Sequence, residues 1–487
     1  ISTIPVNDAK LKSLANTLVF TSILSFGNSN INISPVDLML TYPPNLIMAW
    51  KERKNIDMSM FVPLSIMIVL GSILLSLPIS SATGKSVPFL DALFTATTST
   101  CVTGLVTLPT VTTWSLFGQI VILVLIQIGG LGIVTLSVAM AMLAGRKIGL
   151  MQRSTLQDAI SAPKVGGIVK LTGFILKTTF VIELIGAILL STVFCREFGI
   201  KGIWLGIFHS VSAFCNAGFD LMGTKAPFSS LTSYSAQPLI NAVIMLLIIV
   251  GGIGFLVWED VKTNKHHIKK YRMQTKVVLS ATLFLIIAPA IYFYFAEFNE
   301  LPLNERILNS MFQSVTPRTA GFNTADLTKI SGIGQAITII LMLIGGSPGS
   351  TAGGMKTTTA AVLIFSAISV FRKKDDVECF GRRIADSTLK NAAAILLMYL
   401  LLFLTGGLII SGIENLPLMD CLFESASAIG TVGLTLGITP TLGTVSRIVL
   451  IGLMFFGRVG GLTLIFAALS NKQHNISKKP QERITVG

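Results

Sequence analysis

The sequence predicts an all-α membrane protein: four tandem repeats of transmembrane helix, pore helix and transmembrane helix in pseudo-fourfold symmetry around one central pore, with eight full transmembrane helices. Three observations predict it. The 487-residue chain is 52% hydrophobic and only 12% charged, with a mean hydropathy of +0.75, whereas soluble domains carry about 25% charged residues. Long apolar stretches recur in pairs, and a short Gly-containing segment separates the members of each pair. Those short segments also align in register. Gly104, Gly218, Gly321 and Gly433 are spaced by 114, 103 and 112 residues; Phe94, Phe208 and Phe423 precede their glycines by ten positions, and Phe312 precedes Gly321 by nine.

Composition also excludes several classes. The formal charge of +14 suggests nucleic acid at first sight, but the Lys and Arg lie between apolar spans and read as membrane topology, with no nucleic-acid partner. Cys101, Cys195, Cys215, Cys379 and Cys421 are odd in number and lack metal-ligand spacing, so they form no disulfide framework and read as small buried hydrophobes. A membrane-embedded enzyme needs a titratable cluster. Only four histidines occur, two of them in a Lys-rich connection; the chain reads as a non-enzyme.

Residues 1–57 read as an N-terminal extension. Leu14–Phe26 is too short to span, Met48–Lys54 reads as a charged leader, and 1–47 is expected to be disordered or non-native. Repeat 1 (58–145) places helices at Met58–Leu77 and Phe117–Leu143 around the pore segment Asp91–Val106. Repeat 2 (146–262) places them at Leu171–Cys195 and Leu239–Val261 around Phe208–Met222. Repeat 3 (263–372) has Val277–Phe295 and Ala336–Phe371 around Ile307–Leu327. Repeat 4 (373–470) has Asn391–Ile413 and Val445–Leu469 around Cys421–Leu436, and 471–487 is a cytoplasmic tail. Each second helix carries a double glycine: Gly129-Gly130, Gly251-Gly252, Gly345-Gly346 and Gly460-Gly461.

Each repeat crosses twice, so all four are parallel copies about an axis normal to the membrane. Twenty-four Lys and Arg fall on the side of Met48, whereas the opposite connections carry few, Lys85, Arg196, Lys201, Lys225 and Arg306 among them. The positive-inside rule puts both termini in the cytoplasm and brings the pore segments in from outside.

The loops after the pore segments are the candidate site. Irregular backbone at membrane depth is tolerated only where it lines a cavity or is buried in protein. Four such loops on one axis stack backbone carbonyls into rings, and the short helices before them aim their negative C-terminal ends at a central cavity. Both features favour a monovalent cation stripped of water. The expected selectivity filter is Val102, Thr103 and Gly104; Asn216, Ala217 and Gly218; Thr319, Ala320 and Gly321; and Thr431, Val432 and Gly433. Ordinary external loops with Gly turns are the plainer alternative, but unrelated loops would not recur in register.

The third repeat departs from symmetry. Ala336–Phe371 is 36 residues, too long for one straight crossing. Its middle holds Gly345, Gly346, Ser347, Pro348, Gly349, Ser350, Thr351, Ala352, Gly353 and Gly354, followed by Lys356. Pro and Gly break helix, so this is expected to be an intramembrane gate; a packing kink is the alternative. Its resemblance to a phosphate-binding loop is a decoy. Met355 intrudes before Lys356 and no strand precedes it, so the chain itself binds no nucleotide. Arg458 lies within the last apolar helix, where an arginine is costly and by default functional. It is expected to raise the cation barrier and hold the gate through loop carbonyls, with a structural ion pair as the alternative.

With these elements in place, the chain resembles the Trk/Ktr/HKT superfamily of potassium transporters. The resemblance covers about 58–470. It rests on Asn216-Ala-Gly-Phe219, Thr319-Ala-Gly-Phe322, Thr431-Val-Gly-Leu434, Gln127-Ile-Gly-Gly-Leu-Gly132 and Gly457-Arg-Val-Gly460. Eight spans resemble the membrane subunit of the bacterial Ktr branch. The resemblance implies K+ as the permeant ion, held by filter carbonyls, and uptake across the bacterial plasma (inner) membrane that Na+ stimulates. It implies a homodimer in membrane lipid, each protomer with its own pore, on a cytosolic RCK-type regulatory ring that binds ATP, ADP or NAD(H). In plant relatives a serine at the first-repeat glycine goes with sodium transport; Gly104 therefore implies potassium. An alternating-access Na+/K+ symporter-like cation transporter is the rival reading, against which four carbonyl loops in parallel units weigh.

Overall fold

The computed structural model describes residues 58–132, 135, 167–224 and 226–460. The expected extension 1–57, the ends of two second helices, the connection near 145–166, Lys225, Gly461 and the tail lie outside the described residues.

The described residues are mostly helical, in four units of the same order. Unit 1 comprises α1 (Met58–Ser76), α2 (Phe89–Thr100) and α3 (Leu116–Leu131). Unit 2 comprises α4 (Ile168–Phe198), α5 (Lys201–Phe214), α6 (Pro238–Gly252) and α7 (Phe255–Asn264). Unit 3 has α8 (Met273–Tyr292), α9 (Leu303–Val315), α10 (Gly332–Leu343) and α11 (Thr357–Phe371). A two-residue-per-strand hairpin, β1 (Glu378–Cys379) and β2 (Arg382–Arg383), pairs antiparallel before unit 4. Unit 4 is α12 (Asp386–Glu414), α13 (Leu418–Ile429) and α14 (Thr444–Val459).

First helices and pore helices differ in length for a physical reason. The 31 residues of α4 and 29 of α12 reach about 45 Å, enough for a core of ~30 Å. The 12 to 14 residues of α2, α5, α9 and α13 reach only about 20 Å, so they enter without crossing. Three pore helices start alike. Pro88, Pro302 and Pro417 precede them, and Asp91, Glu305 and Asp420 sit in their first turns, where a fixed φ and a negative charge suit a helix start. Packing follows polarity. Leu184, Phe284 and Leu397 on the first helices face outward, as a lipid-facing surface requires, while Phe94, Phe208, Phe312 and Phe423 are buried at the pore helices.

The second helices differ from expectation. Leu239–Val261 is not one straight crossing: α6 and α7 meet at 94°. Gly254, at φ 96°, takes a left-handed conformation that a side chain disfavours. Helices α3 and α14 end the same way, at Gly132 (φ 84°) and Gly460 (φ 87°). The helix break expected only in the third unit therefore has a counterpart at Gly254 in unit 2, the described helices of units 1 and 4 also end at a glycine of positive φ, and in unit 3 the break widens into a loop between α10 and α11.

Candidate functional site

The four pore helices end in four similar turns. Val102, Asn216, Thr319 and Thr431 have φ of 58°, 60°, 69° and 49°, and two residues later Gly104, Gly218, Gly321 and Gly433 have φ of 94°, 66°, 81° and 93°. The loop N–H groups turn back to their own pore helix. Thr103 N donates to Thr98 O (2.8 Å), Ala217 N to Ser212 O (2.7 Å), Ala320 N to Thr316 O (3.0 Å) and Val432 N to Ser427 O (2.8 Å). Gly104 N and Gly433 N donate to Thr98 Oγ1 (2.9 Å) and Ser427 Oγ (3.0 Å). In a planar trans peptide the preceding carbonyl points the opposite way. The carbonyls of Val102, Asn216, Thr319 and Thr431, with those of Thr103 and Val432, therefore point away from the pore helices.

The loops close into a ring. A Cβ built on Gly104 would overlap the Ala217 carbonyl, one on Gly218 would stand 2.6 Å from Ala320 O, one on Gly321 would overlap Val432 O, and one on Gly433 would overlap Thr103 O. The cycle runs through units 1, 2, 3 and 4 and returns to 1, with backbone against backbone at each step, so nothing there can move aside for a side chain. Asn216 and Thr319 side chains meet at 3.1 Å and join two loops. Among the described residues, the fully buried hydroxyls of Thr103 and Thr431 find no protein hydrogen-bond partner.

The loop between α10 and α11 abuts the same ring. Gly345 N donates to Met355 O (2.7 Å), which pinches its base. A Cβ on Gly345 would come 3.2 Å from Thr319 Cγ2, and one on Gly353 would overlap the Thr431 hydroxyl, so the loop touches two ring threonines. Thr357 N donates to Gly346 O (3.0 Å) within the unit, and the loop's other backbone bonds go mostly to other units. Ser347 N reaches Gly252 O (2.9 Å), Phe255 N reaches Gly349 O (2.7 Å), and Gly354 N reaches Gly457 O (3.3 Å). Thr351 Oγ1 donates to Phe214 O (3.1 Å). Lys356 Nζ folds back onto Ala352 O (2.8 Å).

Arg458 joins three units. From α14 its guanidinium donates to Thr351 O in the loop, to Gly129 O, and to Gly130 O at 3.3 Å, the last two at the end of α3. Among the described residues its hydrogen-bond partners are carbonyls and not a carboxylate, contrary to the ion-pair alternative.

Other charged residues fall elsewhere. Glu183 is buried, and Gln127 Nε2 donates to both of its oxygens (3.0 and 3.2 Å), an interhelical contact between α3 and α4. Lys177 is exposed on α4. Glu297 accepts from Ser331 N (3.0 Å) and Glu414 from Gly443 N (2.9 Å), so both cap second helices. Sequence reasoning missed the ends of α3 and α6 at Gly132 and before Gly254 and that of α14 at Gly460, whose last carbonyls receive the loop between α10 and α11 and Arg458. The double glycines were the signal available for them.

The comparisons with known proteins bear on this arrangement. Residues 50–479 match the family described as "Cation transport protein", TrkH. The chain belongs to this family. Its members are transport proteins rather than enzymes, and the chain is a membrane-embedded, multi-pass subunit of the Trk/Ktr superfamily. It is 42% identical over 434 residues to the potassium/sodium uptake protein NtpJ of Enterococcus hirae, spanning 87% of this chain and 95% of that one. It is 39% identical over 427 residues to the Ktr system potassium uptake protein B of Bacillus subtilis, spanning 86% and 94%. In fold it is similar to the crystal structure of the potassium transporter TrkH from Vibrio parahaemolyticus, with a TM-score of 0.67, 19% identity and 85% of each chain covered.

Proposed function

We propose that the chain conducts K+ passively into a bacterial cell across the plasma membrane, through a filter formed by Val102–Gly104, Asn216–Gly218, Thr319–Gly321 and Thr431–Gly433. The single observation that carries this reading is the closed cycle of Gly104, Gly218, Gly321 and Gly433, each against the next loop's carbonyl. A dehydrated alkali ion needs a cage of oxygens to replace its water, and loops whose N–H groups are already satisfied have carbonyls to spare. The names of relatives in Enterococcus hirae and Bacillus subtilis support potassium, and the former supports a part for Na+ as well.

The segment from Gly345 to Lys356 acts as the gate and Arg458 as its latch. Two cationic side chains beneath the ring raise the barrier for cations, and the carbonyls that hold the loop lie on other units, so relative movement of units releases it. The Ktr relative's description as part of a system supports a separate regulatory partner. We assign that role to a cytosolic RCK-type ring binding ATP, ADP or NAD(H), beneath a homodimer whose termini are cytoplasmic. The test is growth of an uptake-deficient bacterium on limiting K+. The chain should restore growth and Gly433→Val should not, at equal membrane abundance. Equal rescue by both would overturn the filter.

A further inference from the structure

Behind the ring, each pore helix presents one polar side chain to the strand of loop beyond its glycine, buried in three units and, at Asp91, partly exposed, and the residue three past the glycine answers it in two ways. In units 1 and 3 the partner is a threonine hydroxyl three residues past the glycine. Thr107 Oγ1 donates to Asp91 Oδ1 (2.9 Å), and Thr324 Oγ1 donates to Asn309 Oδ1 (2.7 Å). In units 2 and 4 the equivalent residues are Leu221 and Leu436, which offer only their backbone N–H. Leu221 N donates to His209 Nε2 at 3.4 Å, and Leu436 N donates to Glu424. His209 and Glu424 hold matching places, one residue after Phe208 and Phe423. At the third position past the glycine, hydroxyl and backbone N–H donors therefore alternate around the ring.

We infer that His209 and Glu424 are positioning residues that fix the outer half of the filter and thereby set its discrimination between K+ and Na+. Both are fully buried. Thr435 Oγ1 donates to Glu424 Oε1 and Thr439 Oγ1 to Oε2 (2.9 Å), so all its donors come from the loop past Gly433. A buried carboxylate is costly unless its donors stay in place, which penalises any outward slip of that loop. His209 is held by its other nitrogen to Leu205 O (2.8 Å), and its ring lies 6.2 Å from that of Phe322, the residue after Gly321. It therefore braces its own loop and touches the next. A filter separates ions of different size only while its oxygens hold their spacing.

This inference rests on the filter reading, and the experiment separates the two. Glu424→Leu, His209→Leu, Glu424→Gln, His209→Gln and Gly433→Ser are expressed in full-length protein, and K+ over Na+ selectivity is measured from competitive uptake alongside abundance and assembly by size-exclusion chromatography. Each Leu variant should lose about tenfold in selectivity, the scale of stranding a buried hydrogen-bonding group, and each Gln variant only about threefold because an acceptor remains. If the Leu variants do not assemble, the Gln variants decide. Assembled brace variants with unchanged selectivity, beside an impaired Gly433→Ser, overturn the braces alone. Unchanged selectivity in Gly433→Ser as well overturns the filter beneath them.

Discussion

The ring and the loop beneath it are both irregular backbone at membrane depth, yet they satisfy that backbone in opposite ways. Ring N–H groups bond to the pore helix a few residues upstream in the same unit. Apart from the bonds that pinch its base, the loop borrows most of its partners from distant units: Gly252 O in unit 2, Gly457 O in unit 4, and Arg458 reaching in from α14. Local satisfaction keeps a segment in place while units shift, whereas borrowed satisfaction is lost when they shift. In the proposed function a permanent filter and a releasable barrier are thus written in the same kind of backbone, distinguished by where the bonds go.

The largest break in that contrast should come from Arg458→Ala. It removes donors to three carbonyls, and bonds from charged donors are worth about 1.5–3 kcal/mol each. Partner-independent K+ flux should rise at least ~tenfold, measured in vesicles reconstituted without a cytosolic partner; flux no higher than wild type would remove Arg458 from gating. Arg458→Lys should give an intermediate rise, because an ammonium cannot reproduce the fork of guanidinium donors.

A smaller effect is expected within the ring. Thr103→Val or Thr431→Val keeps shape and removes a hydroxyl without a protein partner. Thermal stability should stay within a degree or two while the KM for K+ rises roughly threefold, about the value of one modest hydrogen bond. An unchanged KM would mean those hydroxyls meet no ion.

The smallest effect is expected at Asp220, two residues past Gly218, on the side that the charge pattern assigns to the outside. Burial pushes the Asp220 carboxyl up to about 6, partly offset by the Met222 N–H that donates to it. A raised value means the folded state prefers the protonated acid. The side chain's stabilising contribution is therefore complete below pH ~4 and lost as pH rises through 6. The cation-attracting charge runs the other way, present above 6 and absent below. K+ uptake at low concentration should fall by less than ~twofold from pH 7 to 5, because salt screens surface charge, and Asp220→Asn should flatten that dependence. A wild-type profile in the variant would assign the titration elsewhere.

The ring was legible in the sequence because each position strongly favours glycine. A residue at positive φ with another loop's backbone against it is costly to replace, so Gly104, Gly218, Gly321 and Gly433 stand in register. The register even carried the missing residue in unit 3, where Thr316 O serves Ala320 from a shortened turn. The bend after α6 was not legible. Gly251, Gly252 and Gly254 sit in an unbroken apolar run, and hydropathy cannot tell a helix through the membrane from one that turns where a neighbouring loop supplies hydrogen bonds. The braces were hidden for a different reason. Asp91, His209, Asn309 and Glu424 perform one task with four residue types at two helix positions, so no repeat pattern exposes them. Only the fold shows Glu297 and Glu414 capping second helices.

Anomalous diffraction from crystals grown with Tl+, a K+ mimic, tests the central claim most directly. The account predicts a peak on the axis of Gly104, Gly218, Gly321 and Gly433, encircled by carbonyls of Thr103, Ala217, Ala320 and Val432. Ordered Tl+ bound elsewhere in the membrane region, with none inside that ring, would contradict it.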